Sequence, residues 1–174
     1  YILSESCIRI GGRHTPVSLE DTFTDLLNLG RIFRVEARAE EVVRQQRSEL
    51  EKTRVMLQAV TRHPRVFVYD SGESIPLTTG RYAITHAMIE AAGGHNIFSD
   101  LVDSWVGANL EDVVHRNSEV IVSIDYGQPS AAGKIDFLLN IPELMDVIAI
   151  KQKRFVVLEY AEATPGPRNV ARVR

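Results

Sequence analysis

Tyr69, Tyr126, Tyr160 and Trp105 are the residues of this 174-residue chain whose type and placement point to chemistry. Tyr69, followed by Asp70, closes the apolar run Val66-Phe67-Val68; Tyr126 follows the run 119–125; Tyr160 follows the run that begins at Phe155; Trp105 stands in a nearby loop. Aromatic rings with polar tips give rigid contact area to a large flat ligand at small entropic cost, and the same rings can instead seal the edge of a core. Arg81 and Arg168 lie in the same set of loops, where they could bind carboxylates or screen the charge of a metal chelate, or simply be solvated. The pattern is one of binding. Turnover has little support: no GxSxG elbow, GxxxxGK phosphate loop, post-strand GxGxxG or HExxH is present. Asp125 is the best single acid or base, yet an Asp after a buried strand commonly caps the next loop. His14, His63, His86, His95 and His115 have no metal-ligand spacing, so no protein-held metal is expected, and the lone Cys7 makes neither an internal disulfide nor a CxxC pair.

Those loops need a scaffold, and the remaining pattern describes one. Tyr1-Ile2-Leu3 reads as a strand under way and Gly11-Gly12 with Pro16 as a loop. Ser18, followed by Glu20 and Asp21, starts a capped helix that carries Phe23, Leu26, Leu27 and Leu29 and stops at Gly30. A long helix over 36–61 has a narrow apolar face and ends at His63-Pro64. From residue 65 onward strands and helices alternate: strand 66–69, helix 82–92 closed by Gly93-Gly94, helix 110–116 capped by Asn109, strand 119–125, helical turns over 134–139 and 142–147, and strand 155–158. The expectation is an α/β fold, a three-layer αβα lobe with a mostly parallel sheet, whose ligands meet the loops at the carboxyl ends of the strands. A charge of −3 without a basic tract argues against a nucleic-acid surface, and no run approaches the ~18 apolar residues of a membrane span.

Ala91-Ala92-Gly93-Gly94-His95-Asn96-Ile97-Phe98 resembles a signature of the helical-backbone solute-binding proteins that serve ABC importers of ferric siderophores, haem and cobalamin. The likeness continues through Trp105, Leu110-Glu111-Asp112-Val113-Val114 and Asn117 to Val122. It extends back over 25–41 and forward through Arg154-Phe155-Val156-Val157 to the Thr164-Pro165-Gly166-Pro167-Arg168 tail. The resemblance implies two lobes joined by one rigid helix, with ligand between them and little opening or closing. On this chain it implies that 1–35 is a remnant of the N-terminal lobe with a lead-in helix, 36–62 the connecting helix and 63–174 the C-terminal lobe. It also implies that Trp105 lines the ligand cleft, and that Glu111, six residues on, contacts basic pockets of the membrane subunits.

The expected function is therefore an extracytoplasmic binding component, periplasmic or lipid-anchored and not an enzyme. It would have no intrinsic cofactor, would carry a ferric siderophore, haem or corrinoid, and would have an ABC permease as partner. Its ligand contacts would be Trp105, Tyr69, Arg81, Tyr126, Tyr160 and Arg168. The competing expectations are an α/β enzyme or metal-cluster scaffold, and an interaction module without a small ligand. A chain holding little of the first lobe is expected to expose apolar surface on its N-terminal segment and long helix and to self-associate. Light scattering at rising concentration checks this, and a monomer throughout would contradict it.

Overall fold

The computed structural model describes residues 3–4, 15–166 and 168–173. Most of the predicted N-terminal strand and the Gly11-Gly12 loop lie outside those residues. Ser18 caps α1 (Leu19–Ile32) as its composition predicts: its hydroxyl accepts the Asp21 backbone N–H at 3.2 Å, and the Asp21 carboxylate accepts the Ser18 N–H at 2.7 Å. Gly30 does not end this helix. It is buried inside it, where a Cβ would lie 2.5 Å from the Cβ of Ala39, so the glycine sets how closely α1 approaches α2 (Glu36–Leu57). A turn with Arg34 at positive φ (56°) joins the two helices.

The second helix has the expected narrow buried face, Ala39, Val43 and Thr53, and an outer face of short-range ion pairs such as Lys52 with Glu49 at 2.6 Å. It ends at Leu57, four residues before the expected stop at 61. Val60 and Thr61 are β-branched and His63 precedes proline, which disfavours the helical basin at residue 63.

The lobe that follows is built on a parallel four-stranded sheet in the order β3-β1-β5-β6. Its members are β1 (Arg65–Tyr69), β3 (His95–Asn96), β5 (Val120–Asp125) and β6 (Phe155–Glu159). A separate antiparallel ribbon, β2 (Leu77–Thr79) with β4 (Trp105–Gly107), was not expected from the sequence, because three-residue runs carry too little periodicity. The crossovers contain α3 (Ile84–Ala91), α4 (Leu110–Arg116), α5 (Ala131–Leu139) and α6 (Ile148–Lys151), and α7 (Tyr160–Ala163) follows β6. Gly93, at φ +79°, closes α3, and the N–H of Gly94 reaches back to the carbonyl of Ile89 at 2.9 Å.

Strand alternation sends Phe67, Tyr69 and Ile121 to one face, where they meet Phe98, Val113, Leu138, Leu144 and Val147. Phe67, Phe98, Ile121 and Leu138 are 0–1% exposed, each worth about 1.5–3 kcal/mol of burial. Val66, Val68, Ile124 and Leu158 face the other way, onto Phe23, Val43, Ile84 and Met88. Cover on this second face is incomplete: near β6 an apolar cavity of about 250 Å³ opens between the sheet and α3, and Val156 is half-exposed.

At the amino edge of the sheet Glu119 is buried. Its carboxylate accepts the Arg65 backbone N–H at 3.0 Å and pairs with the Arg62 and Arg65 side chains, while Arg65 Nε reaches the carbonyl of Asn117 at 2.9 Å. The Arg65 backbone N–H holds the Glu119 carboxyl below the usual carboxylate range; burial opposes this, and nearby arginines reinforce it. A lowered native pKa stabilises fully above the unfolded value, near 4.3, and the contribution disappears as pH falls through the native value. Glu119→Gln is expected to cost about 1.5–3 kcal/mol at pH 7, and less as pH falls below 4. Urea denaturation at pH 7 and pH 3 checks this; an equal loss at both would contradict the assignment.

Candidate functional site

Parallel strands end with backbone carbonyls that have no ladder partner on their own sheet, and the carboxyl edge of β1 and β5 is where the candidate site is assembled. The last β1–β5 register pair is Tyr69 with Ser123. One residue further along each strand, the carbonyls of Asp70 and Ile124 both accept hydrogen bonds from Lys134 Nζ, the second at 2.6 Å. Lys134 is the fourth residue of α5, on the stripe that buries Ala131 and Leu138, and it is 5% exposed. Burial pushes its ammonium below the usual lysine value, and Asp70 and Asp125 partly offset that.

The ammonium also lies 4.4 Å from the centre of the Tyr126 ring. The Tyr126 hydroxyl donates to Asp70 Oδ1 at 2.5 Å, and Asp70 Oδ2 accepts from Ser71 Oγ at 2.9 Å. Against the Tyr126 ring sits Tyr160, centroid to centroid 4.8 Å with an interplanar angle of 30°. Tyr126 and Tyr160 are 42% and 51% exposed, so the pair forms an open aromatic wall on a buried polar base. Asp125, the acid or base candidate, accepts the Gly127 backbone N–H at 2.7 Å and so caps its loop.

The other expected contacts are placed differently. Tyr69 lies apart from this pair: its ring is 2% exposed in the core, 6.3 Å from Phe67, and its hydroxyl donates to the Gly72 carbonyl at 3.2 Å. The strand end at residue 69 turns this side chain inward, and burial raises its phenol above the usual value. Trp105 sits in β4 opposite Thr79, half-buried, its ring against the α1–α3 side of the core. Arg81 is exposed, with Nε 3.3 Å from the Ser99 carbonyl, and it borders a shallow depression with Leu19, His86 and Glu90. Arg168 is exposed in the turn after α7, where its charge acts on Glu162. Neither arginine contacts the tyrosine pair among the described interactions.

Glu111 is exposed in the first turn of α4, and its backbone N–H is capped by Asn109 Oδ1 at 2.8 Å. Arg116 anchors the far end of that helix. Its guanidinium forks onto Asp100 at 2.5 and 3.0 Å and lies 4.5 Å from the Phe98 ring centre, holding the Asp100 carboxyl below its usual range. Lys134 went unassigned from the sequence, although a lysine on an otherwise apolar helical stripe, three residues after Ala131 and four before Leu138, is a readable sign of a buried charge.

The profile of the periplasmic binding protein family matches residues 12–161. The chain belongs to that family. A periplasmic binding protein from Veillonella parvula superposes with a TM-score of 0.82 at 30% identity, covering 90% of this chain and 55% of that one. The periplasmic haem-binding protein of Roseiflexus sp. RS-1 gives 0.78 at 26% identity, with 90% and 60% covered. The Fe3+-hydroxamate transport protein of Saccharomonospora viridis shares the fold, at a TM-score of 0.80, 21% identity and coverage of 94% and 56%. This binding-protein chain thus spans 55–60% of the length of these structures. No curated protein sequence matches it. The family and these relatives are binding proteins, not enzymes. Among the described residues no group of three His, Cys, Asp or Glu side chains could hold a metal ion, and no helix is long and apolar enough to cross a membrane.

A hydrogen bond from a phenol to a buried carboxylate is a charge-assisted bond. Tyr126→Phe is expected to lower stability by about 1.5–3 kcal/mol, and a double-mutant cycle with Asp70→Asn to show coupling of about 1 kcal/mol or more. Strictly additive losses in urea titrations would show that the bond contributes nothing.

Proposed function

We propose that this chain is the second lobe and connecting helix of an extracytoplasmic solute-binding component of an ABC importer, and that its cargo is a ferric siderophore, haem or a related metal macrocycle. The observation that carries the reading is the half-exposed Tyr126–Tyr160 pair at the carboxyl edge of a parallel sheet, fixed from below by Asp70 and Lys134. Two flat rings that already face outward suit a flat or chelate-enclosed ligand, which buries aromatic area without needing a protein metal ligand. The relative from Roseiflexus binds haem and the protein from Saccharomonospora belongs to a ferric-hydroxamate system, which supports this ligand class.

In this reading α2, about 33 Å long at 1.5 Å per residue, is the rigid connection to the other lobe. Exposed Ile32, Phe33 and Val35 at the turn that precedes it, and Val55 and Met56 near its end, supply apolar surface for contacts beyond this lobe. Glu111 is the permease contact, a carboxylate held outward in the first turn of an anchored helix, where the helix dipole favours it. Burial of Trp105 and the strand-end tyrosines would favour the interaction-module alternative; Tyr69 is buried and Trp105 half-buried against the core, whereas Tyr126 and Tyr160 face outward.

Trp105 is the only tryptophan, so intrinsic fluorescence reports on one position. Titration with a ferric trihydroxamate, haemin and cyanocobalamin is expected to give saturable quenching by one of them. Tyr126→Ala and Tyr160→Ala should each weaken that ligand about tenfold, or ~1.4 kcal/mol. Trp105→Ala removes the fluorescence, so its affinity is read from ligand absorbance and is expected to fall by a similar factor. No saturable response to any of the three would overturn the reading.

A further inference from the structure

Lys134 has three N–H donors, and the structure gives each one a target: the Asp70 carbonyl, the Ile124 carbonyl at 2.6 Å and the face of Tyr126 at 4.4 Å. We propose that Lys134 is the positioning residue of the aromatic wall, its ammonium fixing the orientation of Tyr126 and, through ring contact, of Tyr160. This assignment rests on the wall being the ligand-facing edge. Buried lysines are rare and costly, so a 5%-exposed lysine needs compensation, and here the carboxyl ends of two strands, β1 and β5, supply it.

The connections close into a ring. Lys134 binds the Asp70 backbone, the Asp70 carboxylate binds the Tyr126 hydroxyl, and the Tyr126 ring rests over Lys134. Tyr126 is thereby fixed at its hydroxyl and on its ring face, although the side chain is 42% exposed. Tyr160 has no such base of its own among the described contacts; its recorded neighbour is the Tyr126 ring at 4.8 Å. A shift of Lys134 therefore reaches both tyrosines, whereas Tyr69, in the core with its hydroxyl on Gly72, lies outside the ring of contacts.

A strut that only held strands together would affect stability alone, so the deciding measurement reads the rings themselves. The protein is labelled with 3-fluorotyrosine, and the five tyrosine signals are assigned from single Tyr→Phe variants. In Lys134→Met, whose side chain has similar length but no donors, the Tyr126 and Tyr160 fluorine resonances are expected to move or broaden while those of Tyr69 and Tyr82 hold. Lys134→Arg, which restores charge and donors, is expected to return them part of the way. Unmoved Tyr126 and Tyr160 signals in a folded Lys134→Met protein would overturn the proposal. Should that variant fail to fold, Lys134→Gln is read by the same criterion.

Ligand affinity gives the second readout. Lys134→Met is expected to weaken whichever of ferric trihydroxamate, haemin or cyanocobalamin the unaltered protein binds by about tenfold, the size expected for losing one aromatic contact. Unchanged affinity alongside displaced rings would overturn the role in binding. If the unaltered protein binds none of the three, the ligand reading fails by itself, and the fluorine spectra still decide whether Lys134 positions the wall.

Discussion

The parallel pairing of β1 with β5 is the constraint from which the rest of the lobe follows, because a parallel ladder leaves opposite needs at its two ends. At the amino ends backbone N–H groups lack partners, and at the carboxyl ends carbonyls do. The chain answers each with the matching charge. Glu119, a carboxylate, accepts the Arg65 N–H at one end, and Lys134, an ammonium, donates to Asp70 and Ile124 at the other. Both side chains are at most 5% exposed, and both belong to segments beside β5, one immediately before the strand and one on the helix after it.

The two clamps differ in what they leave over. Glu119 is matched by arginine side chains and faces no aromatic wall, so its work ends with the sheet. Lys134 satisfies two carbonyls and has one donor direction left, which the Tyr126 ring takes up. Closing the sheet's carboxyl edge and orienting the outward rings are thus done by one group. The Asp70 carboxylate, held beside the same ammonium, supplies the acceptor that Tyr126 needs. Burying a charge here is tolerable because every donor has a target; an apolar residue in the same place would leave two carbonyls unsatisfied.

Much of this was legible in the residues. Alternating apolar runs gave the three long strands, Ser18 and Asn109 gave their caps, and Gly93-Gly94 marked the end of α3, because each depends on local chemistry within a few residues. The β2–β4 ribbon and the two-residue β3 were not legible, since their pairing is set by partners far along the chain. Gly30 misled for a related reason: as a helix stop it makes local sense, but its use is the close approach of Ala39 from the next helix. At the site, the tyrosines at residues 126 and 160 could be nominated from strand ends. That Tyr69 turns inward depends on which face of β1 it shares with Phe67, and a run buried on both faces has no polar alternation from which to read it. Arg81 and Arg168 could not be located from the sequence because loops carry no periodicity to fix direction.

Rigidity at the edge bears on how such a lobe can bind. A tyrosine on a free loop loses rotamer freedom when it closes on a ligand, and that loss subtracts from affinity. Tyr126 has already lost most of that freedom through its hydroxyl bond and its cationic base, and Tyr160 shares the restriction by contact. The ordering cost falls on folding, where the sheet clamp is needed in any case, and not on association. A wall preformed in this way needs no large closing motion to become complementary to a flat ligand.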